Sequence, residues 1–173
     1  VLFRSLAHVR TIPGWTWWIV GGAQRPDEAA YVAELRDAAH RYGIADRIAW
    51  LGQRPDVATL LAAADVYCQA NVQPEPFGLA FVEALAAGLP VVSVRHGGVM
   101  EIVDDSCARL VPPGDVDALA STLAVLIADA ELRRTLAAAA PPRARAVAEA
   151  RSQSERLHAV LGAMGHSSLE LAG

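Results

Sequence analysis

Short apolar runs alternate along the chain with longer segments of helical periodicity. WTWWIVGG, Trp15 to Gly22, is aromatic and β-branched and closes on two glycines, so it predicts a buried strand. From Asp27 to Arg41, Val32, Leu35, Ala38 and Ala39 recur at helix spacing, and Tyr42-Gly43 stops the helix. RIAWLG (Arg47 to Gly52), DVYCQA (Asp65 to Ala70), PVVSV (Pro90 to Val94) and CARLVPP (Cys107 to Pro113) predict four further strands. Between them lie a helix with proline near its first turn, Pro55 to Ala64, and an apolar helix from about Leu79. A short helix follows, opened by His96-Gly97-Gly98 and running through Val103, and then an Ala/Leu-rich helix from Gly114-Asp115 to about Ala128. Beyond Glu131 the pattern is helical, with a break or kink expected at Pro141-Pro142 and a polar, frayed tail near His166. Continuous apolar strands alternating with helices predict an α/β fold, a doubly wound parallel sheet with helices on both faces.

Composition narrows the function classes. The chain has 173 residues, 53% apolar and 20% charged, enough for one domain with a full core. Its net charge of −4 is spread without a basic run, which argues against nucleic acid or an anionic membrane surface as partner. No apolar stretch reaches the roughly 18 residues of a membrane span, and no signal peptide is visible, so a cytoplasmic location is expected. Cys68 and Cys107 sit in apolar, strand-like segments and read as buried thiols of a reducing compartment. All 15 basic residues are Arg. VLFRS, Val1 to Ser5, matches the in-frame translation of a sequencing-adapter end and reads as a non-native start. Residues 6–140 then form the domain, and 141–173 a C-terminal helix with its tail.

The chemistry gathers around PEPFGLAFVEALAAGLP, Pro74 to Pro90. Glu83 is the lone carboxylate in the apolar stretch Leu79 to Ala87, and Glu75 precedes it in a Pro-bounded loop. In an open parallel sheet, ligands sit beyond the carboxyl ends of the strands, where the loop Asn71 to Gly78 falls. Gly78 lets the backbone approach a ligand closely, and the first amides of a helix starting at Leu79 form a phosphate site. Glu83 lies roughly 6 Å further along the axis at 1.5 Å per residue, where a carboxylate can accept hydrogen bonds from a ribose diol. Two readings stay open on these residues. Glu83 accepts from a ligand, or it pairs with a core Arg such as Arg95 while Glu75 is a solvated loop residue. Either way, a buried carboxylate needs a partner.

The run Glu75-Pro76-Phe77-Gly78-Leu79, Glu83-Ala84-Leu85-Ala86-Ala87-Gly88, Pro90-Val91-Val92, then Gly97-Gly98-Val99-Met100-Glu101-Ile102-Val103 resembles the donor-site signature of glycosyltransferase family 4, retaining enzymes of the GT-B fold. The resemblance extends from about Trp17 to Leu136. It implies a Rossmann-like C-terminal half of a GT-B fold that binds a nucleoside-diphosphate sugar. Glu75 would contact donor-sugar hydroxyls near the reacting face. The amides of Phe77, Gly78 and Leu79 would hold the sugar and diphosphate, and Glu83 the ribose. Gly52, Gln53 and Arg54 would lie against the base, with Gly21 and Gly22 on the cleft floor. No cofactor and no metal is implied, and no Asp-x-Asp pair suggestive of a metal-bound diphosphate stands out.

The family opens this domain with a strand and a G-R-x-x-x-x-K-G segment whose basic side chains neutralise the leaving diphosphate. The chain has no Lys and nothing matching that segment, so it reads as lacking the first βα unit. Asp105 to Arg109 also stands where the family has a Gly-containing turn. The partners implied are the donor and an N-terminal acceptor-binding domain, through which alone the protein would meet a membrane. The expected function is transfer of a hexose to a glycan or lipid-linked acceptor by the parent enzyme. The alternative is a stand-alone nucleotide-sugar binding module without turnover, and a third reading is a truncation that folds poorly for want of an edge strand. His96-Gly97-Gly98 is read as a strand-to-helix turn, Glu101 as a structural carboxylate, and Arg133 to Arg156 as a solvated face.

Overall fold

In the computed structural model, residues 1–22, 26–71 and 78–149 are described. The order is α1 (Leu2–His8), β1 (Trp17–Val20), α2 (Pro26–Arg41), β2 (Ile48–Gly52), α3 (Val57–Ala63), β3 (Tyr67–Gln69), α4 (Leu79–Ala86), β4 (Val91–Val94), α5 (Val99–Ile102), β5 (Ala108–Val111), α6 (Val116–Ala128) and α7 (Ala130–Ala148). Every predicted strand and helix falls where the pattern placed it, with strand ends trimmed by at most two residues. All strand pairings are parallel, and helices lie on both faces.

The strands do not form one continuous ladder. β1 pairs with β2, and β3, β4 and β5 form a second sheet in that order. Successive residues of β4 face opposite layers. Val92 and Val94 join α1, α2 and α6 in one cluster, with Phe3, Leu6, Leu119 and Leu126. Val91 joins α4, α5 and α7 in the other, with Phe81, Leu85 and Ile102. The buried strand expected at WTWWIVGG is only half buried: Trp17 and Ile19 pack into the first cluster, while Trp18 and Val20 are 39% and 41% exposed. The reason is positional, because β1 has a strand neighbour on one side alone among the described residues.

Side-chain caps set the starts of the last two helices. Asp115 accepts from the Ala118 amide and Asp129 from the Leu132 amide, each at 2.8 Å. The break expected at Pro141-Pro142 is absent, for α7 runs through both prolines. Each proline removes an intrahelical donor, at a cost of about 3 kcal/mol in isolation. Packing offsets that here: Ala140 and Ala144 are buried against α4, and Pro141 lies beside Gly88. The Arg face of α7 is not simply solvated. Arg133 donates to the Leu126 and Ile127 carbonyls at the end of α6, at 2.6 and 3.0 Å. Arg143 donates to the Glu101 and Ile102 carbonyls at the end of α5, both at 2.7 Å. Basic side chains at helix C-termini satisfy carbonyls that the helix leaves over. Val1 to Ser5 does not stand apart either. Leu2 to His8 is one helix, Phe3 and Ser5 are buried, and Ser5 Oγ donates to the Val116 carbonyl at 2.9 Å.

Candidate donor site

The carboxyl ends of β1 and β2 are tied together by a hydrogen bond from the Gly21 amide to the Gly52 carbonyl, 2.7 Å long. Gly21 and Gly52 hold φ of 108° and 64°, the left-handed region where a side chain would be strained. Gly22 lies beside Gln53 and has no such requirement. A cavity of about 1950 Å³ opens here, and Gly21, Gln53, Arg54, Asn71, Ala80 and Glu83 share its lining.

α4 forms the opposite wall. Phe81, Ala84 and Leu85 turn inward, while Leu79, Glu83 and Ala86 fall at i, i+4 and i+7 on the outer stripe. The expected burial of Glu83 is therefore overturned: its side chain is exposed and makes no ion pair with Arg95 or any other described residue. Its position among apolar neighbours follows from the helix exposing one narrow stripe.

Gly78 is the N-cap of α4, with φ 64° and ψ 23° and no side-chain cap. Its carbonyl accepts from Phe81 and Val82, whereas the Leu79 and Ala80 amides have no acceptor among the described residues. Those two amides start a helix whose dipole favours an anion. A Cβ on Gly78 would run into the Ile102 side chain, with Phe81 close by. Glycine is thus required by backbone angle and by packing on α5, in addition to any ligand. Leu79 is 70% exposed at the helix start. Glu75 and Phe77 lie outside the described residues.

Arg54 is paired with Asp56. Its Nε and a terminal nitrogen donate to the two carboxylate oxygens of Asp56, both at 2.7 Å. This hydrogen-bonded fork holds the Asp56 carboxyl below its ordinary range. A polar cluster on β3, missed in the sequence, also faces the cavity. Tyr67 donates its hydroxyl to the Gln69 side-chain oxygen at 2.6 Å, and Ser93 donates to the Gln69 carbonyl at 2.8 Å. The signal was a glutamine and an asparagine ending the apolar run DVYCQAN. Both cysteines are free thiols, as expected, and burial pushes Cys68 up to about 12. No cluster of metal-ligating side chains occurs among the described residues, and no helix among them is long and apolar enough to cross a membrane.

Parallel strands, a cleft beside Gly21 at their carboxyl ends and a helix start without a side-chain cap among the described residues match the layout of a nucleotide-binding α/β fold, although Gly22 and Gly52 do not line the cavity. The chain belongs to the group 1 glycosyl transferases, whose family model matches residues 1–143. It is 40% identical over 100 residues to a phosphatidyl-myo-inositol mannosyltransferase of Mycobacterium leprae, covering 56% of this chain and 27% of that protein. It is 32% identical over 139 residues to a GDP-mannose-dependent alpha-(1-6)-phosphatidylinositol monomannoside mannosyltransferase of Mycobacterium tuberculosis, covering 75% of this chain and 34% of that one. In structure it is similar to Alr3699/HepE of Anabaena, solved in complex with UDP. The TM-score is 0.81 at 31% identity, over 94% of this chain and 44% of that one. The fold is that of the GT-B glycosyltransferases, and this chain spans less than half the length of these relatives.

Proposed function

We propose that this chain is the donor-binding half of a longer retaining glycosyltransferase of family 4, which moves a hexose from a nucleoside-diphosphate sugar to a glycan or lipid-linked acceptor. The observation that carries the reading is the convergence of Gly21, Arg54 and Glu83 on one cavity, beside the uncapped start of α4. The diphosphate rests on the Leu79 and Ala80 amides, where the helix dipole and two available donors meet it. Glu83, one turn further on the exposed stripe, accepts from the ribose hydroxyls. Arg54 exchanges part of its fork with Asp56 for the nucleotide. Glu75 and Phe77 take the sugar side, and catalysis draws an acceptor-binding domain from the rest of the enzyme. Relatives named as mannosyltransferases, one of them GDP-mannose-dependent, support mannose as the hexose. The UDP complex of the Anabaena protein keeps uridine as the competing base.

The test is calorimetric titration of the chain with GDP and with UDP. One of them is expected to bind, and Glu83→Gln to weaken it by about 10-fold or more, a loss of about 1.4 kcal/mol. In the complete enzyme, Glu75→Ala is expected to abolish transfer while sparing nucleotide binding, and Glu83→Ala to raise the donor KM. Equal nucleotide affinity in the parent chain and the Glu83 variant sinks the assignment.

A further inference from the structure

α7 bears on the candidate donor site without lining it. Arg143 is not part of the cavity wall, yet its guanidinium grips the last turn of α5. Nε donates to the Ile102 carbonyl and a terminal nitrogen to the Glu101 carbonyl, both at 2.7 Å. Nε also lies 3.5 Å from the Asp104 carboxylate, two residues past the helix. α5 is four residues long and has no side-chain cap. So short a helix has no stability of its own, and whatever holds its ends decides where it lies. The side chain of Ile102 is buried and meets Gly78, where a Cβ would strike its terminal methyl. Gly78 is the N-cap of α4. Ile102 is therefore held at its carbonyl by α7 and abuts, with its side chain, the residue that opens α4. The same helix bounds the other end of α4, where Pro141 lies beside Gly88.

We infer that Arg143 is a positioning residue for the donor site: by gripping α5 it fixes Ile102 against Gly78, and so sets the aim of the Leu79 and Ala80 amides. This rests on the reading that those two amides meet the diphosphate. Hydrogen bonds weaken steeply as donor and acceptor leave alignment, so an amide pair serves an anion only if its helix start is held still. Displacement of a ligand-holding group by about 1 Å can cost as much as 100-fold. Nothing within α4 supplies that hold, since Gly78 has no side chain and the helix has no side-chain cap. The hold comes from outside, through one isoleucine. Arginine suits the task because its planar fork carries several donors in fixed directions and meets two carbonyls and a carboxylate at once. A lysine keeps the charge but not the fork, which separates geometry from simple attraction between Arg143 and a phosphate.

The test compares Arg143→Ala and Arg143→Lys with Asp115→Ala, which removes the cap of α6 in the other layer and serves as the control for lost stability. Each chain is titrated with GDP and UDP at a temperature where circular dichroism shows it folded. Arg143→Ala is expected to bind the nucleotide about 10-fold more weakly and Arg143→Lys about 3-fold, while Asp115→Ala binds as the parent does. Parent affinity in a folded Arg143→Lys variant overturns the inference, because charge alone then suffices. An equal loss in Asp115→Ala overturns it too, because general loosening then explains the effect. If Arg143→Ala does not fold, the lysine variant decides. A second readout needs no nucleotide. In amide NMR spectra of the free chains, Arg143→Lys is expected to move the Leu79 and Ala80 resonances and Asp115→Ala to leave them in place. Unmoved resonances in Arg143→Lys overturn the positioning, whereas failure of the parent chain to bind GDP or UDP strikes the donor-site reading and leaves the spectra to judge the link from Arg143 to α4.

Discussion

β4 and β1 are short, largely apolar strands with opposite surroundings. VVSV of β4 lies between two strands and under helices on both faces, and all four residues are buried. WWIV of β1 has one strand neighbour among the described residues, and its second and fourth residues stay half exposed. The same contrast holds for the two halves of the molecule. Around β4, Val91, Phe81, Leu85, Ile102 and Ala140 interlock, and one helix end is pinned to the next through Arg143. Around β1, the interior opens into the cavity that also holds the candidate donor site. A strand's hydrophobicity therefore reports what it can bury, while its neighbours decide how much is buried.

The largest expected effect sharpens this difference. Val92→Asp places a carboxylate where no partner exists, a cost of several kcal/mol that unfolds a domain of ordinary stability. Val20→Asp, on the open strand, costs no more than about 1 kcal/mol. Urea denaturation of both variants is the measurement, and similar losses would erase the contrast. Next comes Gly78→Ala, which forces a left-handed φ on alanine and drives its Cβ into Ile102, for about 2–4 kcal/mol. Adding Ile102→Ala is expected to recover roughly 1 kcal/mol relative to the sum of the single variants. Additive losses would show that the clash does not govern the site.

Arg143→Ala leaves two carbonyls at the end of α5 without their donor and lowers stability by about 1–2 kcal/mol. Arg143→Lys restores only part, since a point charge cannot bridge both carbonyls in one plane. At the border of the two halves, the Cys68 thiol pushed up to about 12 is expected to react with iodoacetamide at pH 8 at least about 100-fold more slowly than a free cysteine. The unfolded thiol ionises near pH 8.5, so stability held below that value is lost as pH rises toward 12. A free-thiol rate would mean that the open half exposes Cys68. The smallest effect is at Asp104. Its carboxyl is held below the ordinary range, first by Ser106 and further by the charge of Arg143. A lowered value contributes above about pH 4 and is lost as pH falls through it. For so exposed a group, Asp104→Asn is expected to cost well under 1 kcal/mol, read from acid unfolding curves.

Much of this was local and therefore legible. Apolar periods fixed the type of every strand and of every helix from α2 onward, because side-chain periods of 2 and 3.6 are properties of the backbone itself; α1, over Leu2–His8, was not read from the pattern. The glycines of Gly21 and Gly52 and the cap Asp115 act within a few residues of their own position, and the GLxxxE run marked α4 as the cleft helix. What the tertiary structure decided was everything set by neighbours distant in sequence. It turned Glu83 outward, passed α7 through Pro141 and Pro142 by packing it on α4, and locked Arg54 onto Asp56 in a geometry no spacing rule specifies. It also divided the strands into two sheets around an internal cleft. Pairing order depends on which strand edges meet across the fold, and a strand's own residues carry the propensity to pair without naming the partner.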